Sequence, residues 1–310
     1  MLKALFLTAA GVVSMASTAV AATIDVSDAA PYPALYGAPY PALYGAAEPG
    51  GAEAEPGLVL LGADLVEVAV ALGAADRILA RPADIELPGI EGTKHQVREW
   101  AGVEGVLALR PKLVIGSSVI NRRLLDGLTA TSVKTDLIDR TIPAVEKVRR
   151  LAAHLGLSER GEALAAAIEA DYAQASPVLR DGRPLRIVHI SKQGAGTNFT
   201  AGGAETAVHN LILRVGALNA AAEIGRDRYR PVTPEGMILM KPDVVLISEK
   251  ELPAFGDLEG IWDAYPGLNL TPAGREKNLV VMRDLHVRAD AASSGIATKV
   301  LSQALHEMFP

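Results

Sequence analysis

A twelve-residue segment occurs twice in this chain of 310 residues. Residues 104–115 read Glu-Gly-Val-Leu-Ala-Leu-Arg-Pro-Lys-Leu-Val-Ile, and residues 235–246 read Glu-Gly-Met-Ile-Leu-Met-Lys-Pro-Asp-Val-Val-Leu. Each copy predicts a short apolar helix that ends at a basic residue before proline, followed by a buried strand. The repeat therefore predicts two related lobes, and a cleft between such lobes is where a small ligand is usually held.

Strand and helix patterns alternate from residue 57 to the end of the chain. They predict strands at 58–61, 77–80, 113–115, 185–190 and 279–282, and helices at 64–72, 104–109, 121–128, 143–155, 158–175, 205–215 and 291–309. Alternation of this kind is typical of parallel sheets covered by helices on both faces. We therefore predict an α/β fold of two Rossmann-like lobes, residues 57–157 and 181–310. A single long rigid helix within 158–180 joins them, and the ligand cleft lies between the lobes.

The first 56 residues are predicted to lie outside both lobes. Lys3, an apolar run over 4–16 and the small residues Ala19-Val20-Ala21 indicate a secretory signal peptide over 1–21. Polar residues interrupt this run, and a membrane anchor needs about 20 apolar residues. Residues 22–56 contain the octapeptide Ala-Pro-Tyr-Pro-Ala-Leu-Tyr-Gly twice, and their proline and glycine content predicts a flexible leader.

The amino-acid composition limits the possible cellular compartments and binding partners of the protein. The chain contains no cysteine, so disulfides, thiolate metal sites and a lipid-anchored cysteine are excluded. Its formal net charge is −6, which argues against nucleic acid as a partner because phosphate binding needs a basic field. These features fit a diffusing protein of a bacterial periplasm.

Several loop residues are candidates for contact with a ligand, whereas no motif indicates catalysis. A glycine-rich loop at 194–203 follows a predicted strand and offers Asn198 and Thr200 as hydrogen-bonding groups. His95 and His286 are predicted in loops near strand ends. The basic neighbours of these two histidines are Lys94, Arg98 and Arg288. Trp100 fits either a core position or a cleft position, where its flat face would suit a planar ligand.

Four segments carry a resemblance to a known family: Gly62–Arg77, Glu104–Val114, Pro234-Glu-Gly and Pro266–Gly274. Together they resemble the periplasmic hemin-binding proteins of ABC importers. The resemblance implies a monomer that captures heme as transported ligand and delivers it to an ABC permease in the inner membrane. It also implies that Glu104 and Glu235, one on each lobe, pair with arginines of that permease. The other interpretation of these glutamates is that they are favoured by the dipoles of the helices they begin.

The chain departs from this family at the iron ligand. Hemin binders of this kind usually place an iron-ligating tyrosine before a proline, and Leu87-Pro88 stands here instead. The family's Gly-Pro-Arg motif near the C-terminus is replaced by His286-Val-Arg288. His95 and His286 are therefore the candidate axial ligands, since imidazole is a good heme ligand. Lys94, Arg98 and Arg288 are expected to meet the propionates.

Two other functions stay open from the sequence. One is the same fold carrying cobalamin or an iron–siderophore, which would need no protein ligand to the iron. The other is a secreted enzyme or adhesion module that uses the fold without a permease.

Overall fold

The computed structural model describes residues 23–26, 56–83, 85–87, 89–98, 101–192, 199–256, 258–265 and 267–310. The predicted signal peptide and most of the predicted leader lie outside these ranges. The strands are β1 (Thr23–Asp25), β2 (Leu58–Leu60), β3 (Ile78–Pro82), β4 (His95–Val97), β5 (Leu113–Gly116), β6 (Lys134–Leu137), β7 (Leu179–Arg180), β8 (Arg183–Pro184), β9 (Arg186–Lys192), β10 (Phe199–Gly202), β11 (Leu218–Asn219), β12 (Tyr229–Pro231), β13 (Val244–Ser248) and β14 (Leu279–Met282). The α-helices are α1 (Ala63–Ala71), α2 (Val103–Ala108), α3 (Arg122–Leu128), α4 (Ala144–Leu155), α5 (Ser158–Tyr172), α6 (Ala207–Arg214), α7 (Pro234–Met240), α8 (Gly260–Ala264), α9 (Pro272–Glu276), α10 (Asp284–Arg288) and α11 (Ser294–Met308).

The first lobe is built on a parallel sheet of five strands in the order β4-β3-β2-β5-β6. Its central strands are apolar runs, and β2 is buried along its whole length. Because helices cover both faces of such a sheet, these strands read as continuous rather than alternating hydrophobic segments. The order reverses between β2 and β5, which places their carboxyl ends beside a crevice suited to a ligand.

The second lobe is built on a seven-stranded sheet with the order β1-β14-β13-β9-β10-β12, and β11 pairs with β9. Strands β1, β14, β13 and β9 run parallel, whereas β10 pairs antiparallel with both β9 and β12. Strand β1 lies inside the range predicted as a flexible leader, so that prediction is wrong for Thr23–Asp25. These residues pair with Leu279–Val281, and Val26 follows them into the second-lobe core.

The repeated segment adopts the same conformation in both lobes. Helix α2 runs into β5 and helix α7 runs into β13, with the intervening basic residues in the left-handed region, Arg110 at φ 55° and Lys241 at φ 47°. Proline follows each of them and prevents the helix from continuing. The predicted repeat of a helix, a sharp turn and a buried strand is thus present in each lobe.

Helix α5 connects the lobes but is shorter than the predicted range of 158–180. It ends at Tyr172, and residues 179–184 form the small antiparallel pair β7-β8. On one side α5 packs against α4, where a Cβ at Gly161 would lie 2.4 Å from the Cβ of Ala152. On the other side the Tyr172 hydroxyl lies 2.6 Å from Ser294 Oγ at the start of α11. This helix therefore holds the two lobes in fixed contact, and the predicted α/β class with two lobes is confirmed.

No helix within the described ranges combines the length and the apolarity needed to cross a membrane.

Candidate ligand-binding cleft

Two adjoining cavities lie between the lobes. Their volumes are about 540 Å³ and about 460 Å³, and both are lined by Ala63, Ile85, Asp284 and Leu285. Residues of the first lobe and residues of the second lobe face each other in both cavities. Volumes of this size are typical of small-molecule sites.

The cleft lies at the carboxyl ends of the parallel strands of both sheets. In the first lobe Arg81 is the penultimate residue of β3 and Arg98 follows β4, and both line the cleft. In the second lobe Glu249 and Lys250 follow β13, and Arg283 follows β14. A parallel sheet collects the residues after its strands at one edge. The two edges meet here and form one site.

The loop after β2 needs a glycine for the cleft to form. A Cβ at Gly62 would lie 1.9 Å from Ser117 Oγ and 2.5 Å from Asp64 Oδ1. Asp64 is buried and accepts a hydrogen bond of 3.1 Å from Lys147, whose side chain has no exposed surface. The absent side chain at Gly62 lets Asp64 and Ser117 lie together on the wall of the second cavity.

The first cavity has an apolar wall and a charged rim. Its apolar side chains are Ala63, Ile85, Leu87 and Ile90 of the first lobe and Leu285 of the second. Lys250 and Glu86 face each other across the cleft with 3.9 Å between Nζ and Oε2. Burial, assisted by the negative charge of Asp284, raises the pKa of Glu249. Arg81 donates a hydrogen bond to the Pro82 carbonyl and forms no ion pair with a described carboxylate.

The second cavity is dominated by the Arg288 guanidinium. Its nitrogens donate hydrogen bonds of 2.8 Å to each of Ser191 Oγ, Glu251 Oε1 and Asp284 Oδ1. Its central carbon lies 5.6 Å from the ring centre of Tyr229 beneath it. Two carboxylates thus compensate the positive charge, and Arg288 is held in one position.

The structure brings together only part of the predicted ligand-binding set. Arg98 and Arg288 line the second cavity. Lys94 and His95 instead line a separate depression of about 660 Å³ that only first-lobe residues form. His95 is the first residue of β4 rather than a loop residue, so it lies at the amino end of the strand whose carboxyl end reaches the cleft.

The prediction that His286 lies in a loop is wrong. It belongs to the helical turn α10 and is 3% exposed, and it does not line either cavity. Burial and the nearby Arg283 lower its pKa to about 3, so its ring is neutral at physiological pH. Thr200 is also buried, within β10, where its hydroxyl donates to the Ser191 carbonyl at 3.4 Å. Trp100 and Asn198 lie outside the described residues.

Sequence reasoning missed much of the charged rim. The missed residues that line the cleft include Arg81, Arg140, Lys250, Arg283 and Asp284. Several follow directly on predicted strands, as Arg283 follows 279–282 and Arg81 follows 77–80. The rule that parallel strands present their carboxyl ends at a common edge could have identified them.

The two repeat glutamates are both on the surface. Glu104 lies in the first turn of α2 and Glu235 in the first turn of α7, and both are exposed. Neither forms an ion pair with a described residue. Each lobe therefore presents one acidic group from the same position of the same repeat.

Two α/β lobes around a cleft at their strand ends define a bilobal ligand-binding protein. The chain belongs to the periplasmic binding protein family, whose model matches residues 58–285. No curated protein matches the chain closely enough in sequence to define a relative.

Solved structures of heme-binding proteins share this fold over most of the chain. The periplasmic heme-binding protein RhuT from Roseiflexus sp. RS-1 is 28% identical, with a TM-score of 0.72, over 83% of this chain and 100% of that protein. The periplasmic heme-binding protein BhuT, solved with two hemes, is 27% identical, with a TM-score of 0.69, over 82% and 98%. The heme-binding protein HmuT is 25% identical, with a TM-score of 0.69, over 81% and 85%.

Proposed function

We propose that this protein is the substrate-binding component of an ABC importer, and that it captures heme in the periplasm and delivers it to a membrane permease. The observation that carries the proposal is the cleft formed by the strand ends of both lobes. This cleft has an apolar wall and a charged rim that contains arginines. The likeness to three heme-binding proteins supports the same ligand. The predicted signal peptide over 1–21 supports the compartment.

The cleft offers the two kinds of contact that a porphyrin needs. Ile85, Leu87 and Leu285 provide apolar surface for the macrocycle, whose burial contributes about 25 cal/mol per Å². Arg81 and Arg98 are the cations we assign to the propionates, because a guanidinium binds a carboxylate through two parallel hydrogen bonds. The protein acts in this proposal as a carrier and not as an enzyme.

The test is a titration of the purified mature protein with hemin. We expect saturable binding at one site, with a change in the Soret absorption and quenching of tryptophan fluorescence. The titration is repeated with the Leu285→Asp variant, which places a charge on the apolar wall. This variant is expected to bind hemin at least about tenfold more weakly, or by 1.4 kcal/mol. Absence of saturable hemin binding by the wild-type protein would contradict the proposed ligand.

Delivery is proposed to use Glu104 and Glu235 as docking points for arginines of the permease. Two charges on separate lobes fix the orientation of a bound partner, and like-charge contacts in a mismatched complex cost several kcal/mol. The variant with Glu104→Lys and Glu235→Lys is expected to bind hemin normally and to lose uptake in cells by more than about 30-fold.

The control for delivery is Glu159→Lys, which changes the same charge at an exposed position of α5. It is expected to retain uptake. If the double variant supported full uptake, the two glutamates would be ordinary helix-start residues.

An iron–siderophore is the second candidate ligand. Five arginines line the cleft, and such a set also suits an anionic iron chelate: Arg81, Arg98, Arg140, Arg283 and Arg288. A competition experiment between hemin and a ferric tricatecholate distinguishes these two candidates. At equal concentration, the true ligand is expected to displace the other compound from the cleft.

A further inference from the structure

Side chains that ordinarily hold heme iron are histidine, tyrosine, methionine and cysteine. The chain has no cysteine. Among the described residues that line the two cleft cavities there is no histidine, tyrosine or methionine. The cleft wall consists of aliphatic, charged and small residues at the positions that would face the ligand.

Several described residues of these types have other contacts. The Tyr265 hydroxyl donates to the Val232 carbonyl at 2.6 Å, and His154 Nε2 lies 2.7 Å from Asp136 Oδ2. Met237, Met240 and Met282 are fully buried in the second-lobe core. Each of these side chains is held by contacts of its own, away from the cleft.

Tyr229 and His189 lie next to Arg288, which lines the second cavity. The Tyr229 hydroxyl is shielded from solvent, and the ring stands edge-on to the buried His189 at 5.7 Å between centres. The Arg288 guanidinium covers this pair and is itself held by Ser191, Glu251 and Asp284. Three charge-assisted hydrogen bonds thus fix Arg288 against the Tyr229 ring.

Leu87 stands at the position where the family resemblance implies an iron-ligating tyrosine. Its side chain is 5% exposed and lines the first cavity. The side chain at this position thus contributes hydrophobic contact to the cleft and offers no atom that can bind a metal.

We infer that this cleft recognises a tetrapyrrole through its apolar plane and its carboxylate edge, and that none of the described residues lining it bonds to the central metal. The inference rests on the proposed function and makes the ligand class wider than heme, because a metal-free or differently metallated porphyrin presents the same plane and the same edge. The contacts are those of Ile85, Leu87 and Leu285 with the macrocycle and of the cleft arginines with the propionates.

The test compares three probes on the wild-type full chain: hemin, zinc protoporphyrin and metal-free protoporphyrin IX. We expect their dissociation constants to agree within about tenfold, because each 1.4 kcal/mol of preference corresponds to a factor of ten. A preference for hemin of more than about tenfold over metal-free porphyrin would overturn the inference and leave the proposed function standing. Failure of all three probes to bind would overturn the proposed function itself.

Two variants test the positions that carry the inference. Leu87→Tyr places a phenol in the cavity and is expected to create a preference for hemin of more than about tenfold, with a new charge-transfer absorption; Leu87→Phe is its control and is expected to show neither. Tyr229→Phe is expected to leave the ratio of hemin to metal-free affinity unchanged. A fall in that ratio in Tyr229→Phe would show that the buried phenol ligates the iron and would overturn the inference.

Discussion

The two lobes contain the same repeated segment but contribute different side chains to the cleft. The first lobe supplies most of the apolar wall, through Ile85, Leu87 and Ile90 after β3. The second lobe supplies a network of charges around Arg288 that is fixed by hydrogen bonds. A shared framework thus places strand ends in the cleft, while the residues after those strands are free to differ.

The helices of the repeat differ in how they begin. Helix α7 is capped by Thr233, whose hydroxyl accepts from Gly236 N, and has Pro234 in its first turn. Helix α2 follows Gly102 and has no side-chain cap. Loss of an N-cap usually costs about 1 kcal/mol of helix stability. The second copy is therefore the better-anchored one, although both end in the same left-handed turn.

The first prediction compares one buried ion pair from each lobe and has the largest expected effect. Lys147→Met leaves the Asp64 carboxylate buried with no described partner, and we expect a loss of about 3–5 kcal/mol in the free energy of unfolding. In the second lobe Arg214→Met leaves Asp290 with a hydrogen bond from Asn210, so we expect a smaller loss.

Urea unfolding of both variants measures this difference. Arg149→Met, in an exposed pair with Glu162, is the control and is expected to be close to wild type. Equal losses at Lys147 and Arg214 would remove this distinction between the lobes.

The second prediction is that acid sensitivity belongs to the second lobe. Burial, followed by the positive charge of Arg288, lowers the pKa of His189 to about 3 from its usual 6.5. Below pH 6.5 the unfolded chain binds a proton that the folded protein does not, so this stability is complete above pH 6.5 and is lost as the pH falls. At about 1.4 kcal/mol per pH unit, His189 should account for about 2 kcal/mol between pH 6.5 and pH 5.

The measurement is urea unfolding at several pH values for wild type and His189→Gln, followed through the buried Trp262 of the second lobe in a Trp100→Phe background. The variant is expected to lose less stability on acidification. His95→Gln, at an exposed position of the first lobe, is the control. A pH dependence identical in wild type and His189→Gln would refute the assignment.

The third prediction ranks the cations of the two lobes. Arg81→Ala is expected to weaken hemin binding by about tenfold, because its guanidinium forms no ion pair with a described carboxylate and can meet a propionate directly. Lys250→Ala is expected to have a smaller effect, since Lys250 must first leave Glu86. Titration of both variants, with the exposed Lys134→Ala as control, measures the ranking. A larger loss at Lys250 would assign the propionates to the second lobe.

Much of the framework could be predicted from the sequence, because it depends on local pattern. The strand predicted at 279–282 is observed as Leu279–Met282, and the helix predicted at 143–155 is observed as Ala144–Leu155. The Leu-Thr-Pro-Ala-Gly segment is also local in origin, since Thr271 caps α9 through Gly274 N. A Cβ at Gly274 would lie 2.0 Å from the Leu268 carbonyl oxygen, which leaves room only for glycine.

The composition of the site could be predicted only in part. Arg98 and Arg288 were expected in the cleft and line it, whereas His95 and His286 were expected there and do not. Proximity to a strand end along the chain does not say which end of the strand faces the ligand. His95 lies at the amino end of β4, and His286 lies on a helical turn that buries it.

The sequence by itself determined the duplicated framework, because hydrophobic periodicity and proline turns act over a few neighbouring residues. Only the tertiary structure decided that Thr23–Asp25 complete the second sheet, that Glu251 compensates the charge of Arg288, and that Leu87 lines the cleft. The physical reason is that these features depend on pairing and desolvation between segments far apart in the chain, which no local pattern records.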